Sequence, residues 1–210
     1  MAPDPLSAQP EPERPARRRG CCFGRIVRPI VAGVALVLCI FALAYMRPYE
    51  VPSGSMEPTL MEEDRIATLL FQGKVPGPGR GDVVILKHPD ETGHWELLVK
   101  RVVAVPGDRL KIEGGSLYRN GDRVDEPYVD APMVDTWPTP TWVRDARLSQ
   151  SYPMEFDRWG FVVPDGCVFV LGDNRNLSED SRDWGPVPNS DLIGRVIGIY
   201  WPMQRIGRVR

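Results

Sequence analysis

Lysine, histidine and cysteine are all scarce in this 210-residue chain. Four of its 26 basic residues are lysines (Lys74, Lys87, Lys100, Lys111), and it has two histidines and four cysteines. Cys21, Cys22, Cys39 and Cys167 show no C-x-x-C spacing, and His88 and His94 fall in one short segment. That pattern argues against a Cys/His metal site. Beyond residue 46 only Cys167 remains, so no intrachain disulfide can form there. Set in Cys-Val-Phe-Val, it is expected to be a core thiol. A Lys/Arg stripe is also missing: residues 47–210 carry 20 basic against 25 acidic side chains, which excludes nucleic acid as a partner. Uninterrupted helical stretches are few, because Gly 20 and Pro 22 take 42 of 210 positions. Such punctuation disfavours a helix bundle and favours short strands joined by turns.

What is present starts with a polar, proline-rich leader. Residues 1–20 have nothing to bury and read as a disordered tail, which extends to residue 28 as a cytoplasmic segment. Ile30 to Met46 are seventeen uncharged residues bracketed by Arg28 and Arg47. At about 1.5 Å per residue the run reaches roughly 25 Å, near the lower limit for crossing a hydrocarbon core of about 30 Å. The flanking arginines can snorkel to close the gap. A single transmembrane helix over 29–46 is therefore expected. Six arginines against three acids in residues 1–28 put that end in the cytoplasm and residues 47–210 outside, at the cell membrane. The rival is a leader cleaved after Ala42-Leu43-Ala44; the length of the leader and of the apolar run favours a retained anchor.

Residues 47–210 read as an all-β, mainly antiparallel domain. Asp82–Lys87, Leu97–Val105 and Cys167–Leu171 are dense in β-branched residues, Arg109–Glu113 alternates, and Ile193–Trp201 looks like a closing strand. Gly114-Gly115 and Asn120-Gly121 supply turns. Residues 73–82 and the segment holding both histidines read as loops. Residues 122–160, rich in Pro and Trp without a clear period, read as an irregular insert.

Three segments could carry chemistry. Val51-Pro52-Ser53-Gly54-Ser55-Met56-Glu57-Pro58 holds two serines where prolines forbid a regular element, and by itself it is a turn with capping hydroxyls. Leu97–Val105 puts a rare lysine in the most apolar strand. Period two aligns Leu98, Lys100, Val102 and Ala104 on one face, and Val99, Arg101, Val103 and Val105 on the other. Burial disfavours the ammonium form, and a neutral lysine can serve as general base to a serine hydroxyl. The bland alternative is a lysine that snorkels from a sheet edge. Gly172–Gly185 (GDNRNLSEDSRDWG) packs hydroxyls and alternating charge after a strand. It reads either as a surface loop or as one that delivers a hydroxyl to a site.

In this order behind an N-terminal anchor, SGSMEPTL (53–60), GDVVILKHP (81–89), VKRVVAVPGD (99–108) and GDNRNLSEDSRDWGPV (172–187) resemble the bacterial type I signal peptidases. The resemblance covers most of residues 49–200 apart from the insert. It implies a signal-peptidase-like β fold and a serine endopeptidase with Ser55 as nucleophile and Lys100 as general base. It further implies that Ser53 completes an oxyanion hole with the Ser55 N–H, that Ser178 orients the lysine, and that Asp180 and Arg182 brace the loop. The implied substrates are signal peptides of secreted preproteins, cut after small residues (Ala-x-Ala type). They would bind as an added strand over shallow pockets lined by Val51, Pro52, Met56, Leu60, Ile66, Leu98 and Val99. The enzyme is expected to act as a monomer on the lipid bilayer, with neither cofactor nor metal. Ser55 lies eight residues past Arg47, within roughly 28 Å of the anchor's end at about 3.5 Å per residue.

A Ser-His-Asp triad is the competitor among hydrolases, and the loop placement of His88 and His94 speaks against it. A Ser/Lys self-cleaving regulator would need a further domain that residues 1–28 do not supply. A non-catalytic binding module would keep the fold without needing Ser55 and Lys100.

Overall fold

The computed structural model describes residues 23–71, 77–90, 92–134, 152, 154–158 and 160–209. The tail expected over 1–28, Cys21 and Cys22 therefore lie wholly or largely outside the described residues, as do 72–76 and 135–151 of the expected loop and insert. The chain divides into two compact units, Met1–Ile40 and Phe41–Arg210.

Helix α1 (Phe23–Tyr45) takes in residues 23–28 of the segment expected to be a disordered tail, contains Pro29, and ends before Met46, which opens β1 instead of closing the helix. Its described apolar side chains, Val27, Ile30, Val31, Val34, Leu36, Val37, Leu38 and Ile40, are all exposed. Among the described residues no helix is long and apolar enough to cross a membrane.

The described strands between residues 46 and 209 form two antiparallel sheets. The larger runs β1 (Met46–Glu50), β2 (Arg65–Leu70), β12 (Leu192–Trp201), β3 (Val83–Pro89), β4 (Trp95–Ala104), β10 (Cys167–Leu171) and β11 (Val187–Pro188), with β13 (Gly207–Arg208) also pairing β12. The smaller runs β7 (Asp122–Arg123), β6 (Ser116–Arg119), β5 (Arg109–Glu113), β9 (Gly160–Val162) and β8 (Glu155–Asp157). The segment 122–160 thus begins and ends in strands of this second sheet, joined where Arg109 pairs with Val162 and Leu110 with Phe161.

Burial explains why the strands read as they do. In β3, Val83 and Ile85 enter one cluster with Val51, Met56, Leu60, Ile66 and Val99, while Val84 and Leu86 enter another with Val102, Val168 and Val170. Both faces are covered, so the sequence is a continuous apolar run. In β5 the inward Leu110 and Ile112 alternate with exposed neighbours, because only one face is covered. Cys167 is fully buried as expected, and burial pushes its thiol up to about 11.

Two local expectations change. A register shift between Phe169 and Val170, where these pair with Ala104 and Val102, ends strict alternation in β4. Val103 and Ala104 consequently share one core cluster, and Ala104 leaves the face of Leu98 and Val102. His88 is not in a loop but in β3, stacked on Trp184 at 4.4 Å between ring centres.

Candidate active site

The prolines that flank Ser53-Gly54-Ser55 stop β1 from continuing and leave a single 3-10 turn, Gly54–Met56. Its side chain Met56 is fully buried in the cluster shared with Leu60, Ile66 and Val99, which holds Ser55 against β4. From β4, Lys100 reaches the turn: its Nζ donates to Ser55 Oγ at 2.9 Å and to Ser178 Oγ at 3.1 Å. The Ser53 hydroxyl lies 3.4 Å from Ser55 Oγ. The structure therefore brings together Ser53, Ser55, Lys100 and Ser178, four residues from three distant segments of the chain.

Lys100 is 2% exposed. Among the described residues no carboxylate stands within ion-pair distance of its amine. Burial holds the ammonium well below its ordinary range; Asp180 and Glu179 oppose that trend, Arg182 reinforces it and Glu96 opposes it weakly. Desolvation wins because the negative groups act from a distance while the amine's own surroundings are apolar or hydroxylic.

The loop that carries Ser178 is built around Asp180. Its carboxylate caps helix α2 (Ser181–Trp184), with the reciprocal bond from the Asp180 N–H to Asp183, and accepts the Gly172 N–H at 3.0 Å. Arg182 clasps the same carboxylate through Nε at 2.8 Å and donates to the Ser178 carbonyl at 3.1 Å. Asp180 and Arg182 are where the bracing pair is expected from the sequence.

Several contributors are not singled out by the sequence reading. Asn174 binds the nucleophile turn twice, through its N–H to the Ser55 carbonyl and its side chain to the Gly54 carbonyl, both at 3.1 Å. Arg101 pairs in two-pronged fashion with Asp173, which also accepts from Thr59 at 2.6 Å. A Cβ at Gly172 would overlap the Ser178 side chain and stand 2.5 Å from the Ser55 carbonyl oxygen. For Arg101 and Asp173 a signal is present, since a second charge in an apolar strand needs a buried partner. Gly172 carries no such mark.

The proposed substrate contacts are placed less uniformly. Val51, Met56, Leu60, Ile66 and Val99 form one buried cluster that includes the residue beside Ser55. Leu98 packs with the cluster on the opposite face, and Pro52 is exposed.

A buried amine within hydrogen-bond reach of a serine hydroxyl can take its proton when neutral, and a second hydroxyl behind the amine can orient it. The family model described as signal peptidase, peptidase S26, matches residues 24–201. The chain belongs to this signal peptidase family. Membership makes it a serine-type peptidase. A probable signal peptidase I-2 of Synechocystis is 32% identical over 183 residues, covering 86% of this chain and 74% of its own. Signal peptidase IB of Staphylococcus aureus is 33% identical over 176 residues, covering 82% and 86%. A crystal structure of a signal peptidase I from Enterococcus faecalis matches 58% of this chain and 98% of its own, at 25% identity and a TM-score of 0.41.

Proposed function

We propose that this signal peptidase family member is a membrane-anchored endopeptidase that removes signal peptides from secreted preproteins through a Ser55/Lys100 dyad. The observation that carries the reading is the buried Lys100 amine, held between two serine hydroxyls at 2.9 and 3.1 Å. In the neutral amine Ser178 accepts one N–H, and the bond to Ser55 reverses so that the Ser55 hydroxyl donates to the Nζ lone pair.

Ser55 Oγ attacks the scissile carbonyl as its proton passes to Nζ. The tetrahedral oxyanion is held by the Ser55 N–H and the Ser53 hydroxyl. Collapse breaks the C–N bond, Nζ returns the proton to the leaving amine, and an ester on Ser55 remains. Water then attacks that ester while Nζ takes its proton, and Oγ recovers the proton as it leaves. No cofactor enters any step. Asp180 and Arg182 hold the Ser178 loop in place.

The preprotein lies as an added strand with small residues at the first and third positions before the cut. Of the residues expected to contact them, Pro52 is exposed and Leu98 half-buried, while Val51, Met56, Leu60, Ile66 and Val99 back the site from the buried cluster. Helix α1, with the uncharged run Ile30–Met46 and the snorkelling arginines Arg28 and Arg47 on either side of it, anchors a monomer in the bilayer. Its exposed apolar side chains over 27–40 and the upstream arginines support an orientation with the N-terminus cytoplasmic and residues 47–210 outside.

The test is cleavage of a purified preprotein by the full chain in detergent. Ser55→Ala and Lys100→Ala are each expected to abolish it, and kcat/KM of the unaltered protein to rise with pH through one midpoint below that of ordinary lysine. Normal turnover by either variant removes the dyad.

A further inference from the structure

The segment following β7 is fastened to the Ser178 loop at two places and to Arg101 of β4 at a third. Glu126 receives both terminal nitrogens of Arg175, at 2.6 and 2.9 Å, in a pair that is nearly closed to water. Arg175 in turn donates through Nε to the Gly172 carbonyl at 2.9 Å. Tyr128 lies over the Arg101 guanidinium at 3.9 Å, and its hydroxyl donates back to Glu126 at 3.1 Å. Asn176 accepts the Val134 N–H at 3.0 Å and donates to the Pro132 carbonyl at 3.3 Å.

The segment is itself tied to the core of the second sheet. Met133 is buried in the core cluster of Leu117 and Phe161, and its N–H bonds the Gly115 carbonyl at 3.2 Å. Gly115 has φ +74 and a Cβ there would stand 2.7 Å from the Met133 carbonyl oxygen, so the turn and the segment fit only through glycine.

These contacts lead to Ser178. The Arg175 carbonyl accepts from Arg182 at 2.6 Å, and the same Arg182 nitrogen donates to the Ser178 carbonyl. Asn176, Leu177 and Glu179 lie around it with little cover, Leu177 being 80% exposed. Apolar packing therefore does little to hold the stretch that presents the Ser178 hydroxyl, and polar ties must do it. A cleft of about 370 Å³ lined by Val134, Arg175, Asn176, Ser178, Arg182 and Asp183 lies along the line where segment and loop meet.

We propose that Glu126–Val134 is a positioning strap for the Ser178 loop, with Glu126 as its anchoring residue, which keeps the Ser178 hydroxyl on Lys100 and water away from the amine. The proposal rests on the Ser55/Lys100 reading. In this arrangement the first part of the 122–160 segment supports the site from the second sheet.

Loss of the strap lets water reach Lys100, and a better solvated amine titrates closer to ordinary lysine. The charged groups around that amine are Asp180, Glu179, Arg182 and Glu96, with His88 approaching from β3. None of them belongs to the strap, and the Arg175 charge that Glu126→Gln leaves unpaired would push the amine's midpoint down, opposite to the rise that loosening of the loop brings.

The experiment compares kcat and KM for preprotein cleavage from pH 6 to 10 in the unaltered full chain, Glu126→Gln, Glu126→Asp and Lys100→Ala. For Glu126→Gln, kcat near pH 7 is expected to fall about tenfold or more while KM changes less. The midpoint of the kcat/KM profile is expected to move up by about one pH unit. Glu126→Asp, which keeps the charge, recovers part of both. A merely structural role lowers kcat evenly with the midpoint fixed, and that result, or unchanged kinetics, overturns the strap. Should Glu126→Gln not fold, Asn176→Ala replaces it: a smaller upward move of the midpoint supports the strap, and none overturns it. Full activity in Lys100→Ala brings down the dyad and the strap together. An inactive Lys100→Ala beside a Glu126→Gln profile that matches the unaltered protein brings down the strap alone.

Discussion

Lys100 and Arg101 are neighbours in β4, 2% and 1% exposed, and the protein handles them in opposite ways. The Arg101 guanidinium meets the Asp173 carboxylate at 2.7 and 2.6 Å, the Gly81 carbonyl at 2.8 Å and the ring of Tyr128. Lys100 meets two hydroxyls. A hydroxyl solvates a charge without neutralising it, and an uncompensated buried ion costs several kcal/mol. Lysine has an escape that arginine lacks, which is to release its proton. Equal burial on the two sides of one strand thus gives a structural ion pair on one and a base on the other, and the partner decides which.

The sharpest way to break this comparison is to make the two residues alike. Lys100→Arg keeps a cation that cannot serve as base, and cleavage is expected to fall on the order of 10⁴-fold or more; appreciable turnover would show that proton transfer runs elsewhere. Arg101→Met strands the Asp173 carboxylate and is expected to cost about 3–5 kcal/mol in urea unfolding. A loss below about 1 kcal/mol would mean the pair holds nothing together. Gly172→Ala forces Ser178 and the Ser55 backbone apart, with a drop in kcat of about 10²-fold. An unchanged rate would show that the close approach is dispensable. Ser178→Ala removes one hydrogen bond to the amine, expected to cost roughly tenfold in kcat; no effect would take Ser178 out of the site.

Sequence pattern serves best where burial is simplest. β3, β4 and β10 carry long stretches buried on both faces and stand out as β-branched runs, and β5 alternates over one covered face. β1 gives no signal because Pro48 and its mixed burial break any period, and β9 gives none because three residues are too few to carry one. His88 has the sequence setting of a loop residue beside Pro89, yet β3 continues through both because they pair with Glu96 and Trp95 across the hairpin. At the site, local pattern makes Lys100 conspicuous but does not choose between a buried amine and a snorkelling one. The resemblance to the peptidases supplies the link to Ser55 and Ser178. The pairs Arg101–Asp173 and Arg175–Glu126 join residues 72 and 49 positions apart. Such contacts follow from the tertiary path, and no spacing rule announces them.

A lowered Lys100 midpoint also has a thermodynamic sign. Between that midpoint and the ordinary value of 10.5 the folded amine holds fewer protons than the unfolded one, so its burial penalty is full below the window and fades as pH rises through it. Lys100→Met, with no amine to bury, lacks this gain in stability with pH.

The most direct measurement is a titration of the lysine side chains by NMR on full-length protein, with the Cε carbons labelled. Four lysines give few signals, and Lys100→Met identifies the one that matters. The Lys100 signal is expected to titrate well below the ordinary lysine value of 10.5, with a midpoint that coincides with that of kcat/KM. A Lys100 that titrates with ordinary lysines, fully charged where the enzyme is active, would contradict a neutral amine as the base.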